Sequence, residues 1–82
     1  MEVIDFWKQF ESFNHSFKKS NRLEISDKLE DARSYVNGLT DGWHEFLSRL
    51  KVIQASFSSM LTSAEKDSLN KMILELEHNL KR

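Results

Sequence analysis

Two segments carry residue spacings that metal-binding helices use. The segment HEFLS, beginning at His44, follows the zinc-binding pattern HExxH for two residues, but Ser48 occupies the place of the second histidine ligand. Glu75 and His78 have the Glu-x-x-His spacing of carboxylate-bridged di-iron bundles, which need a second copy of that motif. No second copy occurs. The sequence therefore predicts no metal site and no cofactor.

The other residues that could take part in catalysis are dispersed. The histidines His15, His44 and His78 lie in three separate helical patterns, the chain has no cysteine, and no GxSxG motif exposes a serine to a base. Surface positions account for the histidines. We expect that the protein is not an enzyme.

Both glycines fall in one stretch, NGLTDGW. A phosphate-binding loop would need a preceding strand and a following lysine, and this stretch has neither. We expect a corner between helices instead, with Gly38 as the left-handed residue that closes one helix. Thr40 or Asp41 would then cap the next helix, and Gly42 would lie in its first turn.

The elements that must position these residues follow from the apolar pattern. Four blocks repeat apolar residues at helical spacing, and no proline interrupts them. We predict one all-α domain over residues 1–82, an antiparallel up-down four-helix bundle with helices at about 2–19, 22–37, 41–60 and 63–81. The alternative is a helical dimer in which two chains pool their apolar stripes, since a core from 82 residues is small.

Helix ends and surface charges fit this prediction. Thr62 and Glu65 form a capping box for the fourth helix, whereas the second could begin at either Asn21 or Ser26. Acid–base pairs at i, i+4 spacing are expected on the surface: Glu24/Lys28, Glu45/Arg49, Asp67/Lys71 and Glu77/Lys81.

The charge balance and the N-terminal residues limit the partners and the location. A formal net charge of −1 provides no field that would attract nucleic acid or an anionic membrane. The N-terminal segment is acidic where a secretory signal is basic, and no apolar run could span a bilayer. We expect a cytoplasmic protein with no membrane association, complete from Met1.

Four apolar residues fall off the helical stripes. Ile4, Val52, Leu74 and, if it is helical, Leu23 each lie more than about 100° from the centre of their helix's apolar face. Val52 and Leu74 are ten residues before and twelve residues after Thr62, so an antiparallel hairpin would bring them to a similar height. These four residues are our candidates for partner binding.

The function expected from this pattern is a small non-enzymatic interaction module. An inhibitor, an immunity-type protein, an adaptor or a regulator would act by covering the surface of a protein partner or of a second copy. The alternative is a dimeric nucleic-acid-associated regulator. A third class, an enzyme without recognisable motifs, would require a deep pocket with perturbed titratable groups.

Overall fold

The structure is a computed structural model that describes residues 3–36 and 40–80, with side chains from 5–36 and 41–80. Four helices lie in these ranges: α1 (Val3–Lys19), α2 (Leu23–Arg33), α3 (Thr40–Ser56) and α4 (Ser63–Leu80), with a 3₁₀ turn at Ser58–Met60 between the last two. No strand occurs in the described segments, which confirms the all-helical prediction. None of the described helices has the length and apolarity needed to cross a bilayer.

All four helices contribute to one apolar core. The phenylalanines of α1 lie at its centre, with Phe6, Phe10 and Phe17 exposing 1% or less of their surface. The radius of gyration, 12.0 Å, is close to the value of about 12 Å expected for a compact chain of this length. The buried apolar residues are Phe6, Phe10, Phe13, Phe17, Ile25, Leu29, Ala32, Phe46, Leu47, Leu50, Ile53, Phe57, Leu61, Leu69, Met72, Ile73 and Leu76.

Aromatic rings join α1 to α3 at one end of this core. Trp7 contacts Trp43 with ring centroids 5.5 Å apart, and both rings also contact Phe46. Phe6 and Phe10 pack edge-on against the same phenylalanine. Edge-to-face packing of this kind stabilises a core beyond its area burial, by about 0.5–1.5 kcal/mol a pair. Both tryptophans remain half-buried, so the cluster reaches the surface.

The connection between α1 and α2 differs from the sequence prediction. Asn21 has φ 62°, and its N–H donates to the Lys18 carbonyl while the Arg22 N–H donates to Phe17. These bonds form a Schellman motif, so Asn21 closes α1 and does not cap α2. Leu23 is already helical, and Ser26 is buried within α2, so neither proposed cap begins this helix.

Two helices end earlier than their apolar patterns predict. Beyond Arg33 the backbone N–H groups of Tyr35 and Val36 donate to carbonyls three residues back, instead of four as in an α-helix. α2 therefore ends at Arg33, four residues before the predicted end at residue 37. α3 stops at Ser56, and Leu61 then enters the core with extended backbone dihedrals.

The structure describes only part of the corner that is expected between the second and third helices. Gly38 lies outside the described residues. Thr40 is the first helical residue of α3, which places Gly42 in the first turn as predicted.

The hydrogen bonds at the start of α4 agree with the sequence prediction, while two of the three predicted ion pairs that lie within the described residues do not form. The Thr62 N–H donates to Glu65 at 2.9 Å and the Glu65 N–H donates to the Thr62 hydroxyl at 3.1 Å, which confirms the capping box. Of the predicted i, i+4 pairs within the described residues, Glu45–Arg49 alone forms, at 3.3 Å. Glu24/Lys28 and Asp67/Lys71 are not paired. Lys81, the predicted partner of Glu77, lies outside the described residues, and Glu77 binds Lys51 of α3 at 2.7 Å.

Truncating the centre of the core should unfold much of the population. Phe10→Ala and Leu50→Ala each leave a cavity where the native side chain is 1% exposed or less, and each should lower the free energy of unfolding by about 2–5 kcal/mol. Urea denaturation followed by circular dichroism measures this. Val52→Ala is the matched control, because this exposed side chain should cost less than about 0.5 kcal/mol. Equal costs for the buried and exposed sites would contradict this assignment of the core.

Candidate functional site

The structure places three of the four candidate contact residues at the surface. Val52 is 56% exposed, Leu74 is 54% exposed and Leu23 is 52% exposed. The side chain of Ile4 lies outside the described residues. The Lys51–Glu77 ion pair joins α3 to α4 beside Val52, so the outward faces of these two helices adjoin.

Met60 is an exposed apolar residue that the sequence analysis did not single out. Its spacing fits the apolar stripe of the third helix, which would have buried it. Because α3 ends at Ser56, Met60 instead belongs to the 3₁₀ turn and is 44% exposed. Its carbonyl accepts a hydrogen bond from Arg22, the residue before Leu23. Leu23 and Met60 therefore lie at the end of the molecule where Arg22 meets the connection between α3 and α4, whereas Val52 and Leu74 lie on the faces of these two helices.

A concavity with a volume of about 950 Å³ lies between α1 and α2. It runs along α1 from Trp7 to Lys18 and continues past the end of α2 to Val36. We call it the α1–α2 groove. Its lining residues are Trp7, Phe10, Glu11, Ser12, Asn14, His15, Lys18, Glu30, Arg33, Ser34 and Val36.

One end of the groove carries a connected polar network. Ser26 is only 1% exposed, and its hydroxyl donates to the side-chain oxygen Oδ1 of Asn14 at 2.7 Å. The side-chain amide of Asn14 in turn donates to the Glu30 carboxylate at 3.3 Å. The Lys18 ammonium lies 2.6 Å from the same carboxylate. Hydrogen bonds from Lys18 and then from Asn14 hold the pKa of Glu30 below its ordinary value, so its carboxylate stays charged and paired at neutral pH.

The other end of the groove has an aromatic floor and an unpaired cation. The Arg33 guanidinium lies 4.7 Å from the centroid of the Trp7 ring, a cation–π contact. Arg33 is exposed and forms no ion pair with any acidic side chain in the described parts of the chain.

The residues with metal-ligand spacing are not assembled into a site. His15, His44 and His78 are all exposed, and they lie on α1, α3 and α4. Glu75 is half-buried, with no bond to a histidine. Across residues 3–36 and 40–80, no group of three or more potential ligands comes together.

The most extensive polar contacts belong to Arg22 at the end of the molecule opposite the tryptophans. Its guanidinium binds both carboxylate oxygens of Glu65, at 2.7 and 2.6 Å. It also donates to the Met60 carbonyl at 3.0 Å and the Ser20 hydroxyl at 2.7 Å, and lies 4.6 Å from the Phe17 ring centroid. The α1–α2 connection is thus attached to the α3–α4 connection.

This ion pair is a structural contact. The bidentate hydrogen bonds from Arg22 are the largest cause of a lowered pKa at Glu65, and the same bonds raise the pKa of Arg22. Both directions favour the charged forms, and each of the three guanidinium nitrogens of Arg22 already donates to a protein acceptor. Sequence analysis found Glu65 as a cap but missed Arg22, because 43 residues separate them.

Comparisons with known proteins identify no family for this chain. The chain matches no family model, and searches of curated proteins and of solved structures find no match either. Function must therefore be argued from the surfaces described above.

The Arg22–Glu65 pair should make stability depend on pH. Glu65→Gln should lower the free energy of unfolding by about 1–2 kcal/mol at pH 7, because it weakens a charged bidentate contact and a capping box. The folded-state pKa of Glu65 is depressed, so its contribution is fully present above the unfolded pKa and is lost as the pH falls through the folded value. The difference between wild type and variant should therefore shrink below about pH 4.5.

Urea denaturation between pH 7 and pH 3 measures both the loss and its pH dependence. Glu24→Gln is the matched control, since this exposed carboxylate on α2 has no ion pair within the described residues and should change stability by less than about 0.5 kcal/mol. A Glu65→Gln variant as stable as wild type at pH 7 would show that the pair contributes nothing.

Proposed function

We propose that this protein is a small, non-enzymatic protein–protein interaction module that acts by covering the surface of a partner. An inhibitor, an immunity-type protein, an adaptor or a regulator would each fit. The observation that carries the proposal is the exposure of three large apolar side chains, Val52, Leu74 and Leu23, each with more than half of its surface in solvent. A core already filled by other residues leaves these side chains free for intermolecular contact.

Val52 and Leu74 form the proposed contact surface, which we call the α3–α4 patch. The Lys51–Glu77 ion pair beside it neutralises two charges that would otherwise resist burial. Covering two half-exposed aliphatic side chains contributes about 1 kcal/mol each. The patch therefore supplies anchors, and a stable complex needs further contacts around them.

The arrangement that we propose for the four helices is an antiparallel up-down bundle formed by one chain. Support comes from Arg22, which attaches the α1–α2 connection to the α3–α4 connection at one end. The Trp7–Arg33 contact supports antiparallel α1 and α2, because it joins the start of one helix to the end of the other. Phe10 and Leu50 are buried within a single chain, which favours this arrangement over a dimer that pools two stripes.

The proposal includes a cytoplasmic location. The chain has no cysteine, so its stability does not depend on disulfide formation, and a reducing compartment suits it.

The α3–α4 patch can be tested with charged substitutions. Val52→Asp and Leu74→Asp should each weaken the complex with a protein partner at least about tenfold, since a buried unpaired carboxylate is costly, and should leave folding nearly unchanged. A partner would first be identified by affinity purification from the native cell. Its dissociation constant for each purified variant would then be measured by calorimetry.

Asn70→Asp is the matched control, an exposed position on α4 that receives the same new charge. Wild-type affinity in both patch variants would remove the α3–α4 patch from the proposal. A protein that remains monomeric and copurifies with no specific partner would remove the proposed function.

A further inference from the structure

Glu30 has two candidate cations, and the structure pairs it with only one of them. Its carboxylate lies 2.6 Å from the Lys18 ammonium on α1 and accepts a hydrogen bond from the side-chain amide of Asn14. Arg33 follows Glu30 by three residues on α2, a spacing at which an acid and a base on one helix commonly pair. No ion pair joins these two residues in the described parts of the chain, and the Arg33 guanidinium lies over the Trp7 ring instead.

The orientation of the Asn14 side chain depends on a buried hydroxyl. A charged carboxylate only accepts hydrogen bonds, so the amide nitrogen of Asn14 must face Glu30, and the amide oxygen then needs a donor of its own. The Ser26 hydroxyl is that donor, at 2.7 Å. Ser26 is the only buried polar side chain among the described residues. Its other acceptor within the helix would be the Arg22 carbonyl four residues back, which already accepts two backbone N–H groups.

We propose that Ser26 is a positioning residue that determines, through Asn14, which cation Glu30 pairs with. It thereby determines whether Arg33 covers the Trp7 ring. With the hydroxyl present, the Asn14 amide is held towards Glu30 and the carboxylate stays on the α1 side. Without it, the half-buried Asn14 turns its oxygen to water, Glu30 loses a donor, and the carboxylate turns to Arg33 on its own helix. These two arrangements form a two-state element across the groove.

Two further titratable side chains line the groove on the α1 side. Glu11 and His15 are both exposed, and Glu11 is a second acid that could draw Arg33 away from the ring. The test therefore has to show that the Glu30 carboxylate causes the movement. The inference concerns the α1–α2 groove alone and requires no partner, so it stands or fails independently of the α3–α4 patch and of the proposed function.

The position of Arg33 can be measured by NMR on the full-length protein at constant pH. The ring current of Trp7 acts on a guanidinium that lies over its face, so the Arg33 Nε–H and Hδ resonances report the contact. Ser26→Ala should raise the population in which Glu30 pairs with Arg33, relative to Lys18, by about fivefold, the effect of one net hydrogen bond. The Arg33 resonances should therefore move towards their positions in the unfolded chain.

A double-mutant cycle tests whether Ser26 acts through Asn14. Asn14→Ala should move the Arg33 resonances in the same direction, and adding Ser26→Ala should move them no further, because the intermediate residue is already absent. Adding Glu30→Gln to Ser26→Ala should return Arg33 to the ring, since the competing carboxylate is removed.

Ser16→Ala is the matched control. It makes the same truncation at a half-buried serine of α1, whose hydroxyl donates to the Phe13 carbonyl of its own helix. It should leave the Arg33 resonances unchanged.

Four results would overturn the inference. Wild-type Arg33 resonances in Ser26→Ala would show that the hydroxyl does not control this contact. Additive shifts in the Asn14→Ala double variant would show that Ser26 acts without Asn14. A movement of Arg33 that persists with Glu30→Gln would assign it to Glu11 or to general loosening, and an equal movement in Ser16→Ala would show loosening alone.

Discussion

The bidentate contact between Arg22 and Glu65 fixes the relation between the two halves of the chain. The backbone N–H of Arg22 completes the motif that closes α1, its side chain binds the α3–α4 connection, and Glu65 in turn caps α4 through Thr62. Three helix ends are therefore defined at one point. Because helices are stiff, setting their ends also limits which side chains can meet in the core.

The fold class could be predicted from local sequence patterns. The features that differ from the prediction depend mainly on contacts between residues that are distant in the sequence. Apolar spacing identified Phe10 and Leu50 as core residues, and the Thr62 capping box forms as its sequence indicates. The pairing of Lys51 with Glu77 could not be read from the chain, since 26 residues separate them and several bases compete for each acid. Asn21, one of the two alternative starts considered for α2, instead closes α1, because asparagine suits both an N-cap and a left-handed C′ position.

The exposure of a residue could be predicted where it depends only on the angular position of that residue around its helix. Val52 and Leu74 lie opposite their core-facing stripes, and both are exposed. The α1–α2 groove could not be predicted in this way, because it depends on the residue at which α2 ends. The apolar pattern continues to Val36, yet the helix stops at Arg33, and the side chain of Tyr35 contacts Arg49 of α3 instead.

The short length of α2 has a further consequence for motion within the bundle. With 11 residues and no side-chain N-cap, α2 has the fewest backbone hydrogen bonds of the four helices to lose. Local opening requires the least free energy where such bonds and buried contacts are fewest. Fewer amide protons are therefore held by helical hydrogen bonds in α2 than in the other helices, and the resistance of α2 to opening depends on its four buried residues, Ile25, Ser26, Leu29 and Ala32.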